Sequence, residues 1–338
     1  MEKGDLRRAV WLKARKLLCV RLDGLGDLLM TSPAIRALKE AAISRRVVLL
    51  ASAAGGQAAP YLPGVDDCLV YDAPWMKAGG QAGGAQADLS LIERLRRENP
   101  YQLLTDWLPE PEPHQFIRHE VQRQLDLAAS IGCYIEDDRI RLKLPLPIRA
   151  KAARLLRDLG VDLSRASLVA HPGASAPSRR YPPELFAQAL GRISSEHEIQ
   201  VILTGSEAEI PLVESIRRDM GAYSYSLAGK LNFEELAGVL TWADLLLSNN
   251  TGPVHVAAAV GTPIIDLYAL TDPQHTPWKV PARVLFHDVP CKFCYKSVCP
   301  QSHNDCLRKI PPESIVEAAR ELLAESRPGA QPLWRRAR

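Results

Sequence analysis

The stretch "LLCVRLDGLGDLLMTSPAIRALKE", residues 17–40, contains the first structural unit of the chain. A short apolar run, residues 17–20, leads into Gly24 and Gly26, and a helical pattern runs from Leu28 to Ala42. A strand, a glycine turn and a helix in this order are typical of a buried parallel strand with its crossover helix. Asp27 then lies in the first turn of the helix, where free N–H groups and the helix dipole stabilise a carboxylate.

Two functional interpretations compete for this stretch. A G-x-G turn after a strand begins the dinucleotide fingerprint, but Leu29 stands where the third glycine belongs, and no acid follows the second predicted strand. We favour the second interpretation, in which Gly24 and Gly26 form a tight, phosphate-loop-like turn. Asp27 is then a general base that removes a proton from a hydroxyl group. Helix capping by Asp27 is the structural alternative.

The bulk composition is that of a globular protein with room for two domains. The chain has 338 residues, of which 46% are hydrophobic and 24% charged, and its net charge of +3 gives no reason to expect nucleic acid as a partner. It has no apolar run long enough to cross a bilayer and no signal-peptide pattern, which predicts a cytoplasmic protein with reduced cysteines. Basic residues cluster at both ends, which favours contact with an anionic membrane surface or solvated termini.

Strands and helices alternate along almost the whole chain, which predicts an α/β protein with two Rossmann-like, doubly wound domains. The predicted strands are 16–22, 47–51, 68–71, 102–105, 168–171, 200–204, 224–227, 244–248 and 264–268. The predicted helices are 28–42, 88–97, 114–131, 183–195, 208–220, 233–242, 253–260 and 313–324. Pro145 and Pro147 indicate an extended linker, so the expected domains are 1–147 and 148–326, with a basic tail at 327–338. Two such domains facing each other leave a cleft for ligands.

Three loops of the second domain follow strands and carry polar side chains. They are "HPGASAPSRRYP" at 171–182, "LTGSEAE" at 203–209 and "SNNTGPVHVAAAVGTP" at 248–263. Hydroxyl and guanidinium groups beside a helix N-terminus make a pyrophosphate site, and an acid in the middle loop can hold ribose hydroxyls or a base edge. The predicted donor-binding residues are Ser175, Arg179, Arg180, Glu207, Glu209, Asn250, Thr251, Gly252 and His255.

Four of the seven cysteines lie close together near the C-terminal end. Cys291, Cys294, Cys299 and Cys306 have spacings that allow a metal site, although the second pair does not fit a standard zinc knuckle. Reduced structural thiols are the interpretation we favour, and a disulfide is the third. We therefore expect no metal to be required.

In combination, these segments resemble glycosyltransferase family 9, the heptosyltransferases of lipopolysaccharide core assembly. The segment "GDLLMTSPAIRALK", the three loops above and the closing cysteine segment occur in the order of that family. The resemblance implies a GT-B fold and an inverting, cofactor- and metal-independent transfer from a nucleotide-diphosphate heptose such as ADP-heptose. The acceptor would be a lipopolysaccharide-core or other cell-envelope glycan, reached at the inner face of the cytoplasmic membrane.

The same resemblance implies roles for individual residues. Asp27 takes the position of the catalytic base, and Arg179 takes that of a basic residue on the diphosphate. Thr251, Gly252 and His255 match the start of the donor-binding helix. Glu207 or Glu209 would contact the ribose or the adenine, and the sequence leaves the choice open.

Two departures from the family pattern keep alternative functions open. Asn250 stands where the family usually has an aspartate, and the first domain looks short after Tyr101. A nucleotide-sugar epimerase or hydrolase on the same scaffold would use His171 and His255. A non-catalytic nucleotide-sugar-binding homologue would keep the donor site and lose the acceptor site.

Overall fold

The computed structural model describes residues 11, 13–74, 76, 84–97 and 117–325. The chain divides into two units, Met1–Lys143 and Leu144–Arg338, each with its own sheet. Several predictions lie outside the described residues: the strand at 102–105, the short stretch after Tyr101, the basic residues of the first ten positions and the basic tail at 327–338.

The first unit contains a three-stranded parallel sheet in the order β1-β2-β3. The strands are β1 (Lys16–Arg21), β2 (Arg46–Ala51) and β3 (Asp67–Val70). Val47–Ala51 of the central strand are buried, as expected for a strand covered on both faces. The helices are α1 (Leu25–Glu40), α2 (Ala53–Gly56), α3 (Gly84–Arg97) and α4 (Glu120–Ser130).

Helix α1 begins three residues earlier than the sequence predicts, and this corrects the role expected of Gly26. Gly26 is the second residue of the helix and not part of a turn. Gly24 is the N-cap residue with φ −71°, so neither a left-handed backbone nor a glycine phosphate loop is present there. The early start follows from Asp27, whose Oδ2 accepts a hydrogen bond from the Gly24 N–H at 3.2 Å and so satisfies a free donor at the start of the helix.

Helix α4 packs against helix α1 through small side chains. Ala34 and Ala37 of α1 form a buried cluster with Ala128 and Cys133. The prediction of a helix at 114–131 was too long, because the described helix begins at Glu120. It ends as predicted, since Gly132 has φ 84° and stops the helix.

The second unit contains a six-stranded, all-parallel sheet in the order β6-β5-β4-β7-β8-β9. Renumbered within the unit, this is the Rossmann order 3-2-1-4-5-6, in which the chain changes direction between β4 and β7. The strands are β4 (Ser167–His171), β5 (Gln200–Leu203), β6 (Ser224–Ser226), β7 (Leu245–Asn249), β8 (Ile264–Leu267) and β9 (Ala282–Leu285). A ligand of such a sheet binds beyond the ends of β4 and β7.

Seven helices accompany this sheet among the described residues: α5 (Leu146–Asp158), α6 (Pro183–His197), α7 (Ile210–Asp219), α8 (Phe233–Leu240), α9 (Gly252–Val260), α10 (Asp305–Arg308) and α11 (Pro312–Glu325). Helix α5 corrects the expectation of an extended linker through Pro147. Proline is tolerated in the first turn of a helix, where its missing N–H would have no partner, and Pro147 occupies that turn. Strand β9 was also missed, since its residues are only half-buried and include Arg283.

Helix α8 begins with a capping box. The Asn232 side chain accepts from the Glu235 N–H at 2.9 Å, and the Glu235 carboxylate accepts from the Asn232 N–H at 3.0 Å. No helix within the described ranges is long and apolar enough to cross a membrane.

Candidate active site

The sheet of the second unit brings two of the predicted loops together at its switch point. Strand β4 leads into the loop that carries Arg179, and strand β7 leads into the start of helix α9. Asn249, the last residue of β7, ties the two together: its side-chain oxygen accepts from the Tyr181 N–H at 3.0 Å, and its amide donates to the Pro172 carbonyl at 2.6 Å. The loop is therefore fixed against the strand from which α9 begins.

Arg179 is the cation available at this point. The residue is half-buried, and its guanidinium forms no hydrogen bond or ion pair with the other residues that the structure describes. Burial raises the pKa of Asp266 in β8, and the positive charge of Arg179 opposes this shift. Arg180 differs, because it is exposed and its Nε donates to the Ala174 carbonyl at 2.8 Å.

Helix α9 presents a free N-terminus beside this loop. Thr251 is the N-cap residue, but its side chain forms no capping hydrogen bond. Pro253 lies in the first turn, where its missing N–H needs no partner, and Gly261 ends the helix with φ 83°. His255 is buried inside the helix and Gly252 begins it. The uncapped N–H groups of such a helix start bind phosphate oxygens well.

Asn250 faces strand β8 rather than the N–H groups of α9. Its Nδ2 donates to Asp266 Oδ2 at 3.1 Å and to the carbonyl oxygen of His275 at 3.0 Å. Both amide hydrogens are thus used within the protein. Asn250 is 5% exposed, so this arrangement is internal.

The two candidate acids of the middle loop have different surroundings. Glu209 Oε2 accepts from the Ser206 N–H at 2.8 Å and from the Ser206 hydroxyl at 2.9 Å, which caps the turn before α7. A Cβ atom on Gly173 would lie 2.0 Å from Glu209 Oε1, so this carboxylate is packed against the loop after β4. Glu207 is exposed. Of the two, Glu207 is therefore the side chain that can turn toward a ligand.

Two further predicted residues have surroundings that limit their roles. Ser175 is exposed in the loop after β4. His171 Nδ1 lies 3.1 Å from the Thr204 hydroxyl, and burial lowers the pKa of this histidine, against an opposing influence of Glu209. A neutral, hydrogen-bonded His171 fits a structural role better than that of the acid in an epimerase or hydrolase.

The cysteine segment contacts the Arg179 loop, a relation that the sequence did not reveal. The Ser178 hydroxyl donates to the Lys296 carbonyl at 2.8 Å, and the Ser178 N–H donates to the Ser297 carbonyl at 3.0 Å. All four cysteines of the segment are free thiols, and burial raises the pKa of Cys306. Across the described ranges, no three His, Cys, Asp or Glu side chains are arranged to hold a metal ion.

In the first unit, Asp27 belongs to a charged cluster at the start of two helices. Arg21, the last residue of β1, has its Nη2 3.6 Å from Asp27 Oδ1 and 3.0 Å from Glu120 Oε1. The same nitrogen lies 3.1 Å from Asp23 Oδ2. The side chain of Asp27 is 30% exposed and that of Glu120 only 3%. Asp27 is therefore the more accessible carboxylate of this pair.

Glu120 is fully partnered in this cluster. Arg123 Nη1 lies 2.7 Å from its Oε2, and the Gln124 amide donates to its Oε1 at 2.9 Å. The glutamate thus compensates Arg21 from the buried side, while Asp27 faces Arg21 from the more open side. Sequence reasoning missed Arg21, Glu120 and Asp266 as site residues. The sequence offered one indication of such roles, which is a charged residue in or at the end of an apolar strand, or at the start of a helix.

In the second unit, the loop with Arg179 follows β4 and the segment Asn250–Gly252 follows β7, and these two strands are parallel neighbours. The structure gives Glu209 an internal structural partner instead. Asp27 is accessible in the first unit, and its carboxylate both caps α1 and faces Arg21.

Comparison with known proteins identifies the family of the chain. The model of glycosyltransferase family 9 (heptosyltransferase) matches residues 92–304. The lipooligosaccharide heptosyltransferase 2 of Campylobacter jejuni subsp. jejuni serotype O:2 is 27% identical over 221 residues, which are 64% of this chain and 66% of that protein. The match thus spans just under two thirds of that relative's length.

Two solved structures share the fold. The glycosyl transferase family 9 protein from Veillonella parvula has a TM-score of 0.80 and 19% identity, covering 92% of this chain and 98% of its own. The E. coli ADP-heptose lps heptosyltransferase II has a TM-score of 0.68 and 19% identity, covering 92% of this chain and 99% of its own. The α/β fold with two Rossmann-like domains of the GT-B class, predicted from the sequence, is confirmed. The chain belongs to glycosyltransferase family 9, the heptosyltransferase family.

Proposed function

We propose that this protein is an inverting glycosyltransferase that moves a heptose from ADP-heptose to a lipopolysaccharide-core type of acceptor. The observation that carries the proposal is that the Arg179 loop and the uncapped start of helix α9 follow the neighbouring parallel strands β4 and β7, at the switch point of the six-stranded sheet. Both features suit a diphosphate. The choice of ADP-heptose is supported by the E. coli structure that carries this sugar nucleotide in its name.

In the proposed reaction, Asp27 accepts the proton of an acceptor hydroxyl group. The oxygen attacks the anomeric carbon from the face opposite the diphosphate, and the bond from that carbon to the diphosphate oxygen breaks. The electron pair leaves with the diphosphate, on which negative charge grows. Arg179 and the N–H groups at Thr251 and Gly252 would stabilise this charge without a metal ion.

Glu207 is the acid we assign to the ribose or the adenine, because Glu209 is used by Ser206 and Gly173. Ser175 and Arg180, which are both exposed, would contact the outer part of the donor. His255 would support the helix start from within, since it is buried.

One assay tests this function and separates it from the alternatives. The full chain is incubated with ADP-heptose and a heptose-deficient lipid A–core acceptor, and the products are identified by mass spectrometry. Heptose on the acceptor is the expected result. Free heptose or an epimerised sugar nucleotide would indicate a hydrolase or an epimerase, and binding without turnover would indicate a non-catalytic homologue.

Two additions to this assay test the finer parts of the proposal. The anomeric configuration of the product, measured by NMR, should be opposite to that of the donor. Transfer should continue at an unchanged rate in excess EDTA. The acceptor is a membrane glycolipid in this proposal, so salt-sensitive co-sedimentation with anionic liposomes tests peripheral attachment at the inner face of the cytoplasmic membrane.

A further inference from the structure

One stretch of the cysteine segment, residues 293–297 (the strap), supports the loop that carries Arg179, and the mechanism above does not use it. The Ser178 hydroxyl donates to the Lys296 carbonyl at 2.8 Å, and the Ser178 N–H donates to the Ser297 carbonyl at 3.0 Å. Ser178 is 2% exposed, so it has little access to water as an alternative partner. The residue before Arg179 is therefore attached to the strap by both its main chain and its side chain.

The strap is itself fixed to the segment that follows β8. The Phe293 N–H donates to the Leu270 carbonyl at 2.6 Å, and the Tyr295 N–H donates to the Thr271 carbonyl at 2.8 Å. Leu270 and Thr271 are both buried. The two attachments of the strap thus follow β4 and β8, which are the strands on either side of β7 in the sheet. The strap therefore connects the two strand ends that neighbour β7, the strand that leads into α9.

The backbone of the strap has an unusual conformation. Phe293 has φ 62° and Tyr295 has φ 52°, so two bulky residues lie in the left-handed region that favours glycine. Such residues persist only where surrounding contacts hold them, and they concentrate at ligand and active sites. Phe293 also packs against the buried cluster of Tyr268, Leu270 and Val289. These contacts hold the strap in one strained conformation, in which its carbonyl groups meet the loop after β4.

Ser178 is the middle residue of a short turn that includes Arg179. The turn is a single 3₁₀ turn, Pro177–Arg179, and the Arg179 N–H donates to the Ala176 carbonyl at 3.0 Å. Asn249 fixes the two ends of the same loop to β7, and the strap fixes its middle. The backbone of Arg179 is therefore held in place by contacts on both sides of it along the chain.

We propose that Ser178 is a positioning residue of the donor site, whose two hydrogen bonds to the strap hold the backbone of Arg179 in place for a diphosphate before the ligand binds. The proposal rests on the proposed function for the place of the diphosphate. A loop that is fixed in advance loses less conformational freedom on binding, which raises the affinity for the ligand. Loss of the Ser178 hydroxyl frees the turn and leaves the Lys296 carbonyl without this donor.

A double-mutant cycle, measured by isothermal titration calorimetry with ADP and the full chain, tests the proposal. Ser178→Ala should raise the dissociation constant of ADP about three- to tenfold, which is the scale of one hydrogen bond. Arg179→Ala should raise it by about tenfold or more, because it removes the charged ligand of the diphosphate. Combined with Arg179→Ala, Ser178→Ala should have no further effect, because Ser178 acts through Arg179. Equal effects of Ser178→Ala in the two backgrounds, or no effect in the wild type, would overturn the proposal.

Ser167→Ala is the matched control for this cycle. Ser167 is also a buried serine, 6% exposed, and its hydroxyl donates to a main-chain carbonyl, that of Trp242, at 3.4 Å. It begins β4, whereas the loop with Ser178 follows the other end of that strand. Ser167→Ala should leave the dissociation constant of ADP unchanged, even where it lowers the melting temperature. If it weakened ADP binding as much as Ser178→Ala, the effect would be a general loss of stability and the proposal would be wrong.

Hydrogen exchange tests the same proposal without any substitution. In the wild-type chain without ligand, the Ser178 amide should exchange roughly 100-fold more slowly than in an unstructured peptide, because it donates to the Ser297 carbonyl in a loop that is already fixed. ADP should add little further protection. An unprotected amide that becomes protected only when ADP is added would show that the ligand orders the loop, and this would overturn the proposal.

The transfer assay separates this proposal from the proposed function. The expected cycle in a chain that transfers no heptose would support the role of Ser178 and overturn the proposed function. Heptose transfer by a chain in which Arg179→Ala weakens ADP binding and Ser178→Ala does not would support the function and overturn the role of Ser178. If ADP does not bind, or binds equally well to Arg179→Ala, the role of Ser178 is wrong whether or not heptose is transferred.

Discussion

Asp27 has two contacts that prepare it for proton transfer. Its Oδ2 caps helix α1 through the Gly24 N–H, and its Oδ1 faces Arg21 at 3.6 Å. The structural alternative of helix capping and the proposed catalytic role are thus compatible, since one oxygen serves each. The helix start favours the ionised form, and Arg21 fixes the direction of the carboxylate.

Asp27→Asn tests this role directly. The amide keeps the shape but cannot accept the proton, so the transfer rate should fall roughly 10²–10⁴-fold. The ADP affinity should not change. Rates are measured with saturating ADP-heptose and acceptor. Asp23→Asn is the matched control, because Asp23 contacts the same Arg21 nitrogen at 3.1 Å, and it should keep most of the activity. A full rate for Asp27→Asn would contradict the assignment.

Glu120 is the buried counterpart of Asp27 in the same cluster. Glu120→Gln removes the buried charge that compensates Arg21 and Arg123, so the free energy of unfolding should fall by about 2–4 kcal/mol. Urea denaturation followed by circular dichroism measures this change. Glu136→Gln changes an acid outside the cluster and should be nearly neutral. Equal stability of the two variants would show that Glu120 has no such role.

Glu207 and Glu209 differ in what their loss should affect. Glu207→Gln should weaken ADP binding about tenfold with no change in thermal stability, because its side chain is exposed. Glu209→Gln should lower stability by about 1 kcal/mol, because it weakens the cap at Ser206. Calorimetry of ADP binding and thermal melts check the two variants in parallel. The reverse pattern would assign the ligand contact to Glu209.

At the scale of elements, the burial of Asp266 in strand β8 lowers the free energy of unfolding by an amount that depends on pH. The pKa of Asp266 is about 7 in the folded chain, because burial disfavours the charged form, whereas the ordinary value for an aspartate is 3.8. Between these pH values the folded state binds a proton that the unfolded state has lost. Stability therefore falls as the pH rises from about 4 to about 7, and above 7 the loss is complete.

Asp266→Asn removes the buried charge and therefore also this loss in the free energy of unfolding. Its gain in the free energy of unfolding over the wild type should be small near pH 4, grow as the pH rises, and reach an upper limit on the order of 4 kcal/mol above pH 7. Denaturant unfolding at pH 5, 6, 7 and 8 measures the gain. A difference between the two chains that is constant across this range would contradict the burial of the charge.

The whole molecule consists of two units with separate sheets. Residues 144–338 have their own six-stranded sheet and a buried cluster that extends from Leu168 to Leu322. A core of this size supports independent folding. Asp27 lies in the other unit, whereas Arg179 and helix α9 lie in this one.

We therefore expect the isolated segment 144–338 to fold cooperatively, to bind ADP and to transfer no heptose. Chemical denaturation and calorimetry check the first two points, and the transfer assay checks the third. The full chain with Asp27→Asn is the matched comparison, since it should bind ADP equally well. Transfer by the isolated segment would contradict the assignment of the base to the first unit.

Local sequence determined most elements of the described chain. Apolar runs of four to six residues with helical patterns between them predicted eight of the nine described strands, because buried parallel strands need apolar residues on both faces. Strand β9 and helix α5 were missed, because a half-exposed edge strand has a weak apolar signal and prolines indicate extended chain as readily as a helix start. The glycines at 24 and 26 misled for a similar reason: the Asp27 cap, and not the glycines, sets the start of α1.

The sequence alone also determined the family and the loops that carry the donor site, because residue types at strand ends limit the chemistry available there. The tertiary structure decided which side chains of those loops are free. It assigned Glu209 to Ser206, Asn250 to Asp266 and Arg21 to both Asp27 and Glu120. The contact between Ser206 and Glu209 is a local S-x-x-E cap, which a sequence pattern can indicate. The other partners lie from 6 to about 100 positions apart, and their distances depend on strand order and helix packing. Local periodicity contains no information on either, so only the folded chain could reveal them.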